Sequence, residues 1–110
     1  MANVTGVKGV VVSTVDGFEL VAKVTEGVEA HRLAAMAGSI AALANVVGKE
    51  GNLGECRLLL VEASHGYFSV MQAKSEKQEL VLTILAERET LVGQVIHYGK
   101  LSLQELIAAF

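Results

Sequence analysis

The 110-residue sequence has no proline, no tryptophan, a single cysteine and a single aspartate. Cys56 alone cannot form an internal disulfide, which suits a reducing compartment and leads to the expectation of a cytoplasmic protein. Asp16 stands next to Gly17 as turn chemistry, and the remaining acids are scattered glutamates with no pair placed to share a proton. Charge is scarce at 19% of residues, below the ~25% of an average domain. Nine Lys and Arg face twelve Asp and Glu without any basic run. That excludes the cationic stripe needed for nucleic acid or an anionic membrane surface. The longest stretch without charge, Leu33–Gly48, has 16 residues, short of the ~20 of a membrane-spanning helix. Met1–Val7 lacks the basic and apolar regions of a signal peptide, so none is expected.

What is abundant is apolar surface. The hydrophobic fraction is 52%, above a norm of ~45–50% that already includes glycine. Disorder is excluded, and the length holds one core rather than two, giving a single domain over 1–110. The surplus predicts that the chain hides apolar surface against something besides itself.

Val7–Val15 is a β-branched run with apolar side chains on both faces, as in a central strand. Asp16-Gly17 predicts a two-residue hairpin into Phe18–Val24, in which Phe18, Leu20, Ala22 and Val24 share one face. From Glu26 to Val47 the period changes to that of a helix, with Leu33, Met36, Ile40, Leu43 and Val47 forming a wide apolar ridge. On another side of this helix the small residues Ala35, Gly38, Ala42 and Asn45 recur at spacings of three and four. No charge occurs between Arg32 and Lys49, so the helix reads as buried on two sides. The expectation is that the ridge packs on the sheet while the small side meets a second copy of the same helix across a two-fold axis. On that arrangement Gly38→Glu splits a dimer and leaves a folded or partly folded monomer.

After a Gly-rich loop at 48–54, strands are predicted over Cys56–Ala63, Tyr67–Ala73 and Glu79–Ala86, the first two joined as a hairpin through Ser64-His65-Gly66. Thr90–Phe110 carries a broad apolar face from Val92 to Phe110. It reads either as one helix, kinked at most, or as a helix ending near Gly99 and restarting at a Ser102/Glu105 capping box. The order β-β-α-β-β-β-α makes an α+β domain, a five-stranded antiparallel sheet with helices on its faces.

Chemistry is hard to find in this pattern. His31, His65 and His97 lie on different elements and share no metal-ligand spacing with Cys56 or a carboxylate. Ser39 lies mid-helix without a nucleophile elbow, and Cys56 reads as a half-buried structural thiol. Gly99-Lys100 is followed by Leu101, and the glycines at 48, 51 and 54 follow no strand, so no phosphate or dinucleotide loop is present. No catalytic residue, metal or cofactor is expected, and Arg32, Arg57 and Arg88 read as surface charges.

Three segments together carry a likeness: VKGVVVSTVDGFELVA at 7–22, LAAMAGSIAAL at 33–43, and LVLTILA at 80–86 with Leu91-Val92-Gly93. In this order and spacing the chain resembles the Roadblock family of dynein light chains and prokaryotic MglB-like proteins. The resemblance implies a non-catalytic, profilin-like α/β fold that dimerises by joining sheets edge to edge and pairing central helices. It places Cys56–Glu62, and with it Arg57, Leu59 and Val61, along the strand that meets its partner, beside Ala35, Gly38, Ala42 and Asn45 on the helix. It further implies a homodimer that binds, regulates or scaffolds a Ras-like small GTPase. Other expectations compatible with the residues are a monomeric small-ligand sensor and a structural subunit of a larger complex. The family opens with a helix that the six residues before Val7 are too few to form. The sheet face such a helix covers is then left to the C-terminal helix, a partner or solvent.

Overall fold

Val7–Thr14 forms β1 because valine on both faces of a strand pays off only in the middle of a sheet. It runs into β2 (Glu19–Val24), and α1 (Ala30–Glu50) follows. Then come β3 (Leu58–Ala63), β4 (Gly66–Lys74), β5 (Glu79–Glu87) and α2 (Val92–Ala109). This is a computed structural model, and it describes residues 6–109; Phe110, expected at the end of the last apolar face, lies outside the described residues. The five strands are antiparallel in the order β2-β1-β5-β4-β3. The predicted α+β order and sheet are therefore what the chain adopts.

The first hairpin differs in detail from its expectation. Gly17 N–H donates to Thr14 O at 3.0 Å and Thr14 N–H to Phe18 O at 2.9 Å, enclosing a three-residue loop rather than a two-residue one. Only Gly17, at φ +92°, takes the left-handed conformation, while Asp16 does not. Register then slips between Val12↔Val21 and Ser13↔Glu19, so Leu20 is the extra residue of a bulge. The expected alternation fails there: Phe18, Leu20 and Val21 are all exposed.

α1 and α2 cover opposite faces of the sheet. On one face Leu80, Leu82, Ile84 and Ala86 of β5 meet Val95 and Leu103 of α2, with Tyr67 and Met71 of β4 beside them. On the other, Val81 and Val70 meet Ala37 and Ala41 of α1. Alternate residues of β5 thus feed two cores. The C-terminal helix is what closes the second face, over β4 and β5. α2 runs unbroken through Gly99, where a Cβ would stand 2.6 Å from Met71 Cε; glycine there lets the helix lie close on β4.

Tyr67 ties β4 to the entry of α2, its buried hydroxyl donating to Thr90 O at 2.9 Å. Burial pushes the phenol pKa above its ordinary 10.0. The native state therefore holds this proton more tightly than the unfolded chain, and the stability it confers is lost as pH rises from 10 through the raised native value. Tyr67→Phe, which strands a carbonyl, is expected to cost about 1 kcal/mol in urea unfolding at neutral pH. That difference should shrink at about pH 11.

Candidate functional site

α1 sits on the sheet by its small residues. Ala34, Ala37, Gly38, Ala41 and Gly48 are the buried positions, and Asn45 lies half-buried among them. Gly38 faces the β1–β2 turn so closely that a Cβ would stand 3.0 Å from Val15 O and 3.2 Å from Gly17 Cα. Asn45 also turns inward, accepting from Cys56 N–H at 3.0 Å and donating from Nδ2 to Gln72 Oε1 at 3.2 Å. Both residues are engaged by their own chain, which corrects their assignment to a side left open for a second helix. Ala35 and Ala42, at the margin of the buried stripe, are exposed.

The ridge is the side left open, the reverse of the expected packing. Met36 is 52% exposed, Leu43 66% and Val47 59%, with Val46 beside them and Leu33 and Ile40 half-buried. The physical reason is separation: alanine and glycine let a helix axis approach a sheet already filled by Val70, Val81 and Thr83, and larger side chains would hold it off. The long apolar residues are then displaced to the opposite side, where no part of the described chain covers them. A row of exposed large apolar side chains on one helix is what marks an interaction surface.

The ridge lies beside an open sheet edge. Ile40, Leu59 and Phe68 each pack against the α1 core from its border, so half-buried apolar side chains continue from the helix toward β3. β3 pairs only with β4, so its other edge presents free backbone N–H and C=O groups. Leu59 and Val61 are half-buried there, and Arg57, just before the strand, is exposed. Of the seven expected interface residues, Arg57, Leu59 and Val61 lie at this edge, Ala35 and Ala42 are exposed on α1 with Ala35 against the β1–β2 turn, and Gly38 and Asn45 face their own chain. Met36, Leu43 and Val47 are the surface residues that sequence reasoning turned the wrong way. The signal that separates them is the run Gly38, Ala41, Asn45 and Gly48, small at spacings of three and four, continuing Ala34 and Ala37.

Polar chemistry on this surface is sparse. Lys74 Nζ lies 2.6 Å from Glu55 Oε1. The ammonium's hydrogen bond and charge hold the Glu55 carboxyl below its ordinary range, while Glu55 raises Lys74. Both side chains are solvated, so the pair adds little stability. Ser39 Oγ donates to Ala35 O at 3.4 Å within its own helix. Among the described residues no three His, Cys, Asp or Glu side chains converge on a metal-sized site. Arg32, Arg57 and Arg88 are all exposed. By length and composition alone α1 is apolar enough to cross a membrane; here its alanines rest on the sheet.

A family model described as the Roadblock/LC7 domain matches residues 1–86. No curated protein matches significantly. Among solved structures, a Roadblock/LC7 domain from Streptomyces avermitilis is similar with a TM-score of 0.82 and 24% identity, covering 98% of this chain and 88% of that one. MglB from Myxococcus xanthus is similar with a TM-score of 0.84 and 18% identity over 94% of this chain and 83% of that one. The gliding protein MglB from Thermus thermophilus has a TM-score of 0.79 and 16% identity, over 93% and 76% of the two chains. At these identities the likeness shows the fold.

Proposed function

Because the chain belongs to the Roadblock/LC7 domain family, we propose that it is a homodimeric, non-catalytic interaction module for a Ras-like small GTPase. The observation that carries the dimer is the adjacency of the exposed α1 ridge to the free β3 edge. A two-fold axis normal to the sheet pairs β3 antiparallel with its copy, satisfying both open edges at once. The same operation lays the two α1 helices on the same face of the joined sheet, so that Met36, Leu43 and Val47 of the two copies form one apolar surface along the seam. Arg57, Leu59 and Val61 then run along the joined strands. A solved MglB described as having a tetrameric arrangement, 17% identical with a TM-score of 0.81, supports self-association in this fold.

The GTPase part of the reading rests on the family. Its mechanism is positional: the module binds one nucleotide state better than the other and shifts the equilibrium by that difference in affinity. Light scattering at micromolar concentration tests the dimer, with twice the 11.6 kDa chain mass expected. An 11.6 kDa species would overturn it. Co-elution with a Ras-like GTPase loaded with GDP or a GTP analogue tests the partner. Retention of one loaded form over the other is expected, and retention of neither removes the GTPase.

A further inference from the structure

We propose that the cleft between the end of α1 and the start of β3 binds a small oxyanion, a carboxylate or phosphate, through Lys49, Arg57 and Gln72. The cleft has a volume of about 490 Å³, within the ~300–1,000 Å³ of small-ligand sites.

Its floor is wired to present donors. Cys56 N–H is a backbone group that can only donate, and it fixes Asn45 Oδ1 as its acceptor at 3.0 Å. Asn45 Nδ2 is thereby turned to Gln72 Oε1, 3.2 Å away. That consumes the oxygen of Gln72 and leaves its Nε2 amide hydrogens without an acceptor among the described residues. The Cys56 thiol is spent as well, on Leu58 O at 3.6 Å. Both amide oxygens of the floor are occupied, and the side-chain N–H groups remain.

The charges around the cleft sort the same way. Lys74 holds Glu55 at 2.6 Å and stands opposite Glu79 in the β4–β5 register, so both acids of the cleft lie on the side of this lysine. Lys49 and Arg57 have no ion-pair partner among the described residues. The C-terminus of α1 would ordinarily repel an anion. Here Val47 O, Gly48 O and Lys49 O accept from the N–H groups of Gly51, Leu53 and Asn52 at 2.9, 2.7 and 3.1 Å. With those carbonyls engaged, the cleft offers a guanidinium, an ammonium and an amide to a ligand made of acceptors, while Glu55 and Glu79 line its side next to Lys74. Guanidinium adds a planar fork suited to two oxygens of one carboxylate or phosphate.

Titrating the ¹⁵N-labelled chain with inorganic phosphate, and separately with citrate, at ionic strength held constant with chloride tests the site. Saturable amide shifts at Lys49, Cys56, Arg57 and Gln72 are expected. Lys49→Ala and Arg57→Ala should each weaken binding about tenfold. Gln72→Glu, which puts acceptors where the donors were, should abolish it, and Lys23→Ala on β2 should leave it unchanged. Shifts that never saturate, or that appear equally at Lys8 and Lys23, would overturn the proposal as a general ionic effect. Undiminished binding by the Lys49→Ala/Arg57→Ala variant would overturn it too. So would binding of hexaglutamate without phosphate or citrate, which would make the occupant a protein segment.

Discussion

Leu43→Glu is expected to yield a folded monomer of the 11.6 kDa chain mass where the wild type is twice that. Leu43 is 66% exposed near the middle of the α1 ridge, so in the separate chain a glutamate there meets water and costs little. In the pair each copy adds such a carboxylate to the apolar surface along the seam, beside Met36 and Val47. An uncompensated buried charge costs several kcal/mol, and about 3 kcal/mol already corresponds to ~100-fold in the dissociation constant. Light scattering reads the mass, and circular dichroism with urea unfolding shows that the monomer is native. A Leu43→Glu protein that remains a dimer would remove the ridge from the interface.

Gly38→Glu is expected to unfold the chain instead of splitting a dimer. The first side-chain carbon would meet the backbone of the β1–β2 turn, 3.0 Å from Val15 O. The carboxylate beyond it would be pressed into a contact already closed by Gly17 and lined by a carbonyl of the same sign. Overpacking and a buried unpaired charge together cost on the order of 3–5 kcal/mol or more, against a total stability of ~5–15 kcal/mol. Loss of the cooperative urea transition, or a midpoint lowered nearly to zero, is the expected reading. A folded monomer from this variant would mean that α1 lies on the sheet by its other side.

That contrast marks where the sequence stopped being legible. The strands could be read because period-two valine runs and turn residues are local signals. The third and fourth strands form the expected hairpin, tightened to Ser64-His65 because Gly66 already pairs with Ala63. The orientation of α1 could not be read, because with no charge between Arg32 and Lys49 neither face carries the polar mark of solvent. Two apolar faces then compete, and the winner is decided by the spacing between helix and sheet, a property of Val70, Val81 and Val15 as much as of the helix itself. Asn45 was legible as small and as polar, but its partners are 11 and 27 residues away. The cleft fails for the same reason: Lys49, Arg57 and Gln72 meet only once β3 has paired with β4. The bulge at Leu20 breaks an alternation that nothing local in Phe18–Val24 contradicts.

β5 lies in the middle of the sheet but near the end of the chain, which has a consequence for biosynthesis. When Lys74 leaves the ribosome, β1–β2 and β3–β4 both exist as local hairpins, yet neither pairs with the other. Each leaves one strand edge unpaired, β1 in the first and β4 in the second, and the alanines of α1 lack Val81 to rest on. Only when Glu79–Glu87 emerges can a strand enter between β1 and β4, pairing Thr14 with Leu80 and Val7 with Ala86 across most of the chain. Contacts that distant in sequence place the folding time toward the millisecond-to-second end of the range for small domains. The nascent protein therefore completes its sheet at the centre last, and a translation product that stops before Glu79 lacks the strand that both hairpins share.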